Sequence, residues 1–368
     1  MSASAFLLSS RGGMGRLLAG LLLSAAALQT AYAAPKHDAA AEHKAAQSRH
    51  SSGAHGPHGG GAMLTYRFMR MSMAGSLNGQ RRQSSTAIAT TELNPFSDQP
   101  MQPPTLRVVP RSMTVDMHGF GLMYALTERV SLAAMTGFVE KTMDHVTFSG
   151  PTGDVVLGRF TTNTSGVADT RVSALIQLVS RPAWRIQARL GLSLPTASID
   201  ERDEVLTPAG ARRQSQLPYP MQLGSGTVDA LLGLTFAGDL GALGWESQWQ
   251  SVVRLGENDA GYALGDEHEV SATLSYRLTD PLKLHARLRY FDRGNVDGAD
   301  PRIQAPVQTA DPQRQGAERL DFGLGLAWSP SGGRRQVTLE AYRPVQQNLD
   351  GPQLETDWSL ALGVRVGL

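Results

Sequence analysis

From Leu64 onward, apolar residues alternate with polar or small ones over stretches of about ten residues, a period of two that puts two chemistries on opposite faces of a strand. The last stretch is the most regular. Trp358, Leu360, Leu362, Val364, Val366 and Leu368 share one face, and Ser359, Ala361, Gly363, Arg365 and Gly367 share the other. Trp184, Ile186, Ala188, Leu190, Leu192 and Leu194 alternate in the same way with Arg185, Gln187, Arg189, Gly191 and Ser193. The pattern predicts strands near 63–75, 113–126, 129–141, 167–179, 183–195, 227–236, 243–255, 267–278, 281–292, 318–328, 334–343 and 355–368.

The links between these strands alternate short and long. Thr127-Glu128, Ser180-Arg181-Pro182, Ala237 to Ala242, Thr279-Asp280 and Ser329 to Gly333 are short, and the stretches between them are longer. Tight turns on one side and long loops on the other are the asymmetry of an outer-membrane barrel, with periplasmic turns and extracellular loops. A soluble β-sandwich also alternates, but it buries the apolar face and exposes the polar one. The fold expected is therefore all-β: a transmembrane up-and-down antiparallel β-barrel of about twelve strands, with aromatics such as Tyr66, Tyr124, Trp184, Trp245, Trp328 and Trp358 on its lipid face.

The N-terminus divides the chain further. Arg11 and Arg16 precede an apolar run from Leu17 to Leu28 and the small-x-small string Ala31-Tyr32-Ala33, the form of a secretory signal peptide over residues 1–33. Residues 34–62 are small and polar, with His37, His43, His50, His55 and His58 interspersed. That composition predicts a disordered periplasmic tail, since it cannot bury enough surface to offset chain entropy. The barrel then occupies residues 63–368, in the outer membrane of a Gram-negative bacterium. The terminal strand has the form of a barrel assembly signal, which usually ends in Phe where this chain has Leu368.

Composition narrows the function classes. The formal charge of +1 removes a strong expectation of nucleic-acid binding, which calls for a basic excess. The absence of cysteine excludes disulfides, thiolate metal sites and a cysteine nucleophile. Expected partners are outer-membrane lipid, the assembly machinery and a small solute, with the barrel acting as a monomer.

Several strings at strand ends are not generic: Leu190-Gly191-Leu192-Ser193-Leu194-Pro195-Thr196, Ile199-Asp200-Glu201-Arg202-Asp203, Leu217-Pro218-Tyr219-Pro220-Met221-Gln222-Leu223-Gly224-Ser225-Gly226 and Arg254-Leu255-Gly256-Glu257-Asn258. Together they resemble a poorly characterised family of outer-membrane barrel transporters, related to barrels associated with the MetA pathway of phenol degradation. The resemblance runs from about Met63 to the end of the chain. It implies a porin-like barrel and solute passage, and brings no established binding residues.

Opposite the apolar face, Arg67, Arg171, Arg185, Arg189, Arg254, Arg277, Lys283, Arg287, Arg289, Arg319 and Arg365 are expected in the lumen, against Asp169, Asp229, Glu246, Glu267, Glu269, Asp321 and Glu340. Such ladders either neutralise one another across strands or select anionic solutes. Met69, Met71, Met73, Met113, Met117, Met123 and Met135 also share the inward face, with Met143 and His145 joining at the rim and His118 pointing outward. They are either unbranched filler or thioether ligands for Cu(I), with the tail histidines as a second metal-gathering element. No cofactor is required.

Two further constellations are weak. The acidic loops around Asp200 to Glu204, Glu257 to Asp259 and Asp292 to Asp300 fail the spacing of a Ca²⁺ loop and read as solvated charge. Ser251 and His268 are expected outward on adjacent strands, a nucleophile–base pairing without an evident orienting Asn or Asp, and no hydrolase motif accompanies them. No enzyme activity is expected. The reading is a barrel that passes or gates a small solute through a charged lumen; the alternatives are a soft-metal barrel and a structural surface barrel with a blocked lumen.

Overall fold

The computed structural model describes residues 61–330 and 333–368. The signal peptide and the histidine tail, including His37, His43, His50, His55 and His58, lie outside the described residues. In chain order the elements are β1 (Ala62–Gly79), β2 (Arg81–Gln83), α1 (Ser85–Thr91), β3 (Val108–Ala125), β4 (Val130–Ser149), β5 (Val155–Val167), β6 (Thr170–Ser180), β7 (Trp184–Leu194), β8 (Arg202–Leu206) and β9 (Arg212–Gln216). There follow β10 (Asp229–Leu240), β11 (Leu243–Arg254), β12 (Tyr262–Ala263), β13 (Glu267–Arg277), β14 (Leu282–Arg293), β15 (Asp297–Gly298), β16 (Ala317–Trp328) and β17 (Arg335–Gly367). Among the described residues no helix is long and apolar enough to cross a membrane.

The main sheet runs β1-β3-β4-β6-β7-β10-β11-β13-β14-β16-β17 and closes by pairing β17 with β1. All of these pairs are antiparallel, and a closed ring of antiparallel pairs requires an even number of strands. β17 restores the parity by folding back on itself. Its first part pairs with β16 over Val337–Leu349, its second part pairs with β1 up to Gly367, and the backbone N–H of Gly367 donates to the Arg334 carbonyl at 2.8 Å. The reversal falls at Asp350-Gly351, where Gly351 has φ +81°, a left-handed conformation that glycine adopts without steric cost. The ring thus has twelve legs, β5 and β6 forming one of them: β5 pairs with the upper part of β4 and β6 with the lower part.

The faces are inverted relative to a soluble β-sheet protein. Leu324 on β16 is 53 % exposed, whereas the charged Asp321 on the same strand is 1 % exposed. Phe120, Tyr124, Leu190, Leu274, Tyr276, Trp328 and Trp358 are likewise on the exposed side. An apolar belt of this extent around the whole ring is far beyond what a soluble monomer shows, and it is what lipid requires. At one rim, Phe236 packs edge-on against Trp184 and Trp245, with centroids 5.7 and 4.5 Å apart, as part of the aromatic girdle. Above the belt the outward face turns polar: Arg70 donates from Nε and a terminal nitrogen to Asp116, at 2.7 and 2.5 Å.

Two expectations are corrected. Residues 142–166, expected as loop, continue β4 and form β5, joined by the short turn 150–154. Residues 344–354, expected as loop, are the paired tip of the β17 hairpin. In both places the strand has left the lipid, so its outward residues are Thr142, Asp144, Thr161 or Asn163 rather than leucines, and the alternation that marks a half-buried strand disappears. Where apolar side chains persist above the belt they need cover. Val146 and Phe148 receive it from Ile88 and Ala89 of α1, which packs against this tall part of the wall.

The remaining connections, 195–228, 255–266 and 294–316, are long and carry the small strand pairs β8–β9 and β12–β15. They converge with Val108 and Phe160 of the wall in one apolar cluster containing Leu206, Tyr219, Tyr262, Val296, Ile303, Val307 and Ala310. The outer mouth is therefore covered by folded loops, not by free ones.

Candidate functional site

The lumen is built by the inward parity of each leg. Arg67, Arg171, Arg185, Arg189, Arg277, Lys283, Arg287, Arg289 and Arg365 share the parity opposite the apolar face of the register. On β14 the inward positions read Lys283, His285, Arg287, Arg289, Phe291 and Arg293, so one leg carries basic groups along almost its full length. Period two on a single strand stacks these side chains about 6.6 Å apart along the strand.

Much of the ladder is neutralised across strands, and glycines make that possible. His285, Gly325 and Glu340 occupy one row across β14, β16 and β17, and the imidazole Nε2 lies 3.0 Å from Glu340 Oε1, spanning the strand between them. A Cβ at Gly325 would collide with that imidazole. Arg287, Gly323 and Tyr342 repeat the arrangement in the next row: Arg287 donates to the Tyr342 hydroxyl at 3.3 Å, and that hydroxyl donates to Glu340 at 3.0 Å. Arg67 reaches Glu340 at 3.1 Å from β1, lying opposite Gly363. Higher in the lumen, Arg289 and Arg319 share Asp321, at 2.6 and 2.9 Å, and Arg254 bridges Asp229 and Glu267, at 2.6 and 3.2 Å. Basic groups still outnumber the acids that face them. Arg189 Nε is buried without a hydrogen-bond partner.

The Glu340 network itself lines an open cavity of about 150 Å³, whose walls also include Arg185, Glu246 and Arg365. It sits at the end of the barrel bearing the tight turns, with Ala237 and Gln336 in its lining. Arginine forks in such a ring match carboxylate or phosphate oxygens.

The methionines are brought together on the opposite side of the barrel. Met73, Met113 and Met143 are consecutive partners in one row across β1, β3 and β4. Met71, Met73, Met113, Met117 and Met143 pack with Val115, Val139, Leu217, Met221 and Leu223. Met221 was not singled out in the sequence, because it belongs to a loop that folds inward. The segment 217–224 is held against the wall by its own backbone: Lys141 Nζ donates to the carbonyls of Pro220 and Gln222, and Thr164 Oγ1 donates to that of Met221 at 2.9 Å. Met69 faces Met117 in register, but Met135 stands apart, beside Gly121 and Arg171 towards the tight-turn end. His145 is buried and stacks on Phe160 at 4.6 Å, with Nδ1 lacking a partner. His118 points outward, its Nδ1 2.9 Å from the Tyr66 hydroxyl.

The loop acids expected to be solvated are partly structural. Asp300 is buried and held by Arg302 through contacts of 2.8 to 3.2 Å, and Arg302 also reaches Asp200 of the 195–228 loop at 2.5 Å. Burial works against the charged form of Asp300, but the Arg302 guanidinium and backbone outweigh it, leaving the carboxyl below its ordinary range. Arg314 bonds Glu92 at 3.0 Å, tying the 294–316 loop to the end of α1. The backbone N–H of Asp300 donates to the Tyr219 hydroxyl at 3.2 Å, and the Tyr219 and Tyr262 rings meet edge-on at 5.0 Å.

Ser251 Oγ and His268 Nδ1 are 2.9 Å apart on the outward face, and Asp292 is the next residue in that row. Ser251 is 3 % exposed. Among the described residues no group of three or more histidines and carboxylates is arranged to hold a metal ion.

No protein-family model and no curated protein sequence matches the chain. Solved structures do. An outer-membrane channel from Pseudomonas putida F1 is similar with a TM-score of 0.54 and 13 % identity, over 87 % of this chain and 99 % of that one. The beta domain of the Bordetella autotransporter BrkA gives 0.45 and 11 % identity over 84 % of this chain and all of the other, and the P. putida toluene transporter TodX gives 0.40 and 9 % over 84 % and 90 %. With its inverted faces and closed antiparallel ring, the chain has the fold of an outer-membrane β-barrel.

Proposed function

We propose that the protein is a gated channel of the bacterial outer membrane that passes a small anionic solute. The observation that carries this reading is the basic column on β14, which leads from the loop-covered mouth to the arginine-lined cavity at the tight-turn end. Rings and columns of arginine raise the local anion concentration, and paired ones hold it weakly enough to let it leave. The channel similar in fold and the loop strings that resemble a family of outer-membrane barrel transporters support solute passage. The barrel acts as a monomer in outer-membrane lipid after export and assembly. Proteoliposome swelling tests the proposal. Small organic anions are expected to enter faster than cations of the same size. Equal rates would overturn the charge selection, and no swelling with any solute would leave a structural barrel with a blocked lumen.

A second reading, handling of a soft metal, is favoured by the Met73–Met113–Met143 row with Met221 folded onto it. Thioethers are neutral and individually weak, so several must gather to hold Cu(I). Cu(I) titrated against a competing chelator is expected to bind the refolded barrel at least about tenfold more tightly than a Met73→Leu, Met113→Leu, Met143→Leu variant, which keeps the apolar volume. Equal affinity would return these methionines to packing.

A further inference from the structure

Resting on the channel reading, we infer that the solute is an amphiphilic anion, an apolar body bearing one acidic group, and that residues 217–223 occupy its apolar berth when it is absent. Berth and Lys141 share one wall, and the basic column on β14 faces them across the ring. Counting legs from β4 through the β5–β6 leg, β7, β10, β11 and β13 to β14 gives six steps of twelve, half the circumference. The wall on β1, β3 and β4 is sulfur-rich and apolar; the wall on β14 is basic.

The apolar berth is already filled in a telling way. Leu217, Met221 and Leu223 press into Met71, Met73, Met113, Met117, Val115 and Val139. Methionine side chains are unbranched and repack readily, so a wall of them accepts a different apolar group where leucine or valine would resist it. The inward segment is secured on this wall by Lys141, which lies on the same face of β4 as Val139 and Met143. Its ammonium spends its bonds on two peptide carbonyls, Pro220 and Gln222. A carboxylate is a stronger acceptor for an ammonium than a neutral carbonyl. A solute with both features therefore displaces the segment at both attachments: its acid takes Lys141, and its body takes the place of Leu217 and Met221. A small anion lacks the body and a neutral alcohol lacks the acid, so neither opens the berth.

The test uses the full-length chain reconstituted in bilayers, with hexanoate, acetate and 1-hexanol as probes. Amide hydrogen exchange across residues 217–224 reads release of the segment, and chloride current in the same preparations reads the channel. Hexanoate is expected to accelerate exchange at a concentration at least about tenfold below that of acetate or hexanol, because its extra methylenes are buried. Lys141→Gln should raise the hexanoate concentration required at least about tenfold, while Lys141→Arg retains the response. Hexanol acting as well as hexanoate, or acetate as well as hexanoate, would overturn the inference while a selective chloride current left the channel reading intact. Absence of any current, with or without hexanoate, would overturn the channel reading itself.

Discussion

Replacing Arg302 by alanine is expected to destabilise the loop cap by about 3 kcal/mol, the lower end for removing one partner of a buried ion pair. The lower end applies because Arg302 keeps 39 % of its side chain exposed while Asp300 is sealed. The variant would leave the Asp300 carboxylate buried without its partner and cut the tie to Asp200. Hydrogen exchange in 198–206 and 296–310 should accelerate while the barrel legs keep their protection. Asp300→Asn should do less, since it removes the buried charge along with its partner's need for it. The pH behaviour follows from the sign of the shift. The Asp300 carboxyl titrates below its ordinary value of 3.8, so the latch contributes its stability above that value and loses it as pH falls through the depressed one. Loop exchange should therefore be flat across neutral pH and rise only in strong acid. A midpoint near pH 6 would mean that another group holds the cap.

The second large effect concerns the lipid face. Leu362 points outward on the returning leg of β17, opposite Phe68 of β1, at the seam that closes the ring. Leu362→Arg is expected to cost about 2–4 kcal/mol, the range for an arginine facing lipid near the midplane. Leu362→Phe should be tolerated. The readout is the fraction of protein that migrates as a compact, heat-modifiable band after refolding, and equal fractions for the two variants would contradict the facing.

The barrel was legible because lipid enforces a strict period of two. Where the alternation is regular, as at Trp184–Leu194 or Leu282–Arg293, the expected and observed strands agree to within a residue at each end, whereas β10 runs four residues past its expected end, to Leu240. Above the belt that constraint is gone. β5, α1 and the β8–β9 hairpin were missed because Thr161, Asn163 and the Arg212–Gln216 stretch carry no alternation of hydrophobicity. Charges inside the lumen could be placed by parity alone, whereas their pairing could not. The contacts from His285 and Arg67 to Glu340 span intervening strands, and only the positions of Gly325 and Gly363 in the folded register reveal the gaps they use. Of the methionines expected to face inward, Met71, Met73, Met113, Met117 and Met143 pack together while Met135 stands apart, and Met221 with the segment that seats it depends on how a long loop folds inward. For the same reason Asp300 read as loop charge: its partner Arg302 is two residues away, and its burial depends on Tyr219 from a loop remote in sequence.

Gating and selectivity of the proposed channel meet in the Arg302→Ala variant, whose loop cap is loosened while the lumenal arginines are untouched. Its reversal potential in a salt gradient across a planar bilayer is the most direct measurement of the central claim. The basic column on β14 predicts a potential of the sign set by anions, together with a higher open probability than the parent chain shows. A potential of the opposite sign, set by cations, would contradict the assignment of the lumen as a passage for anions.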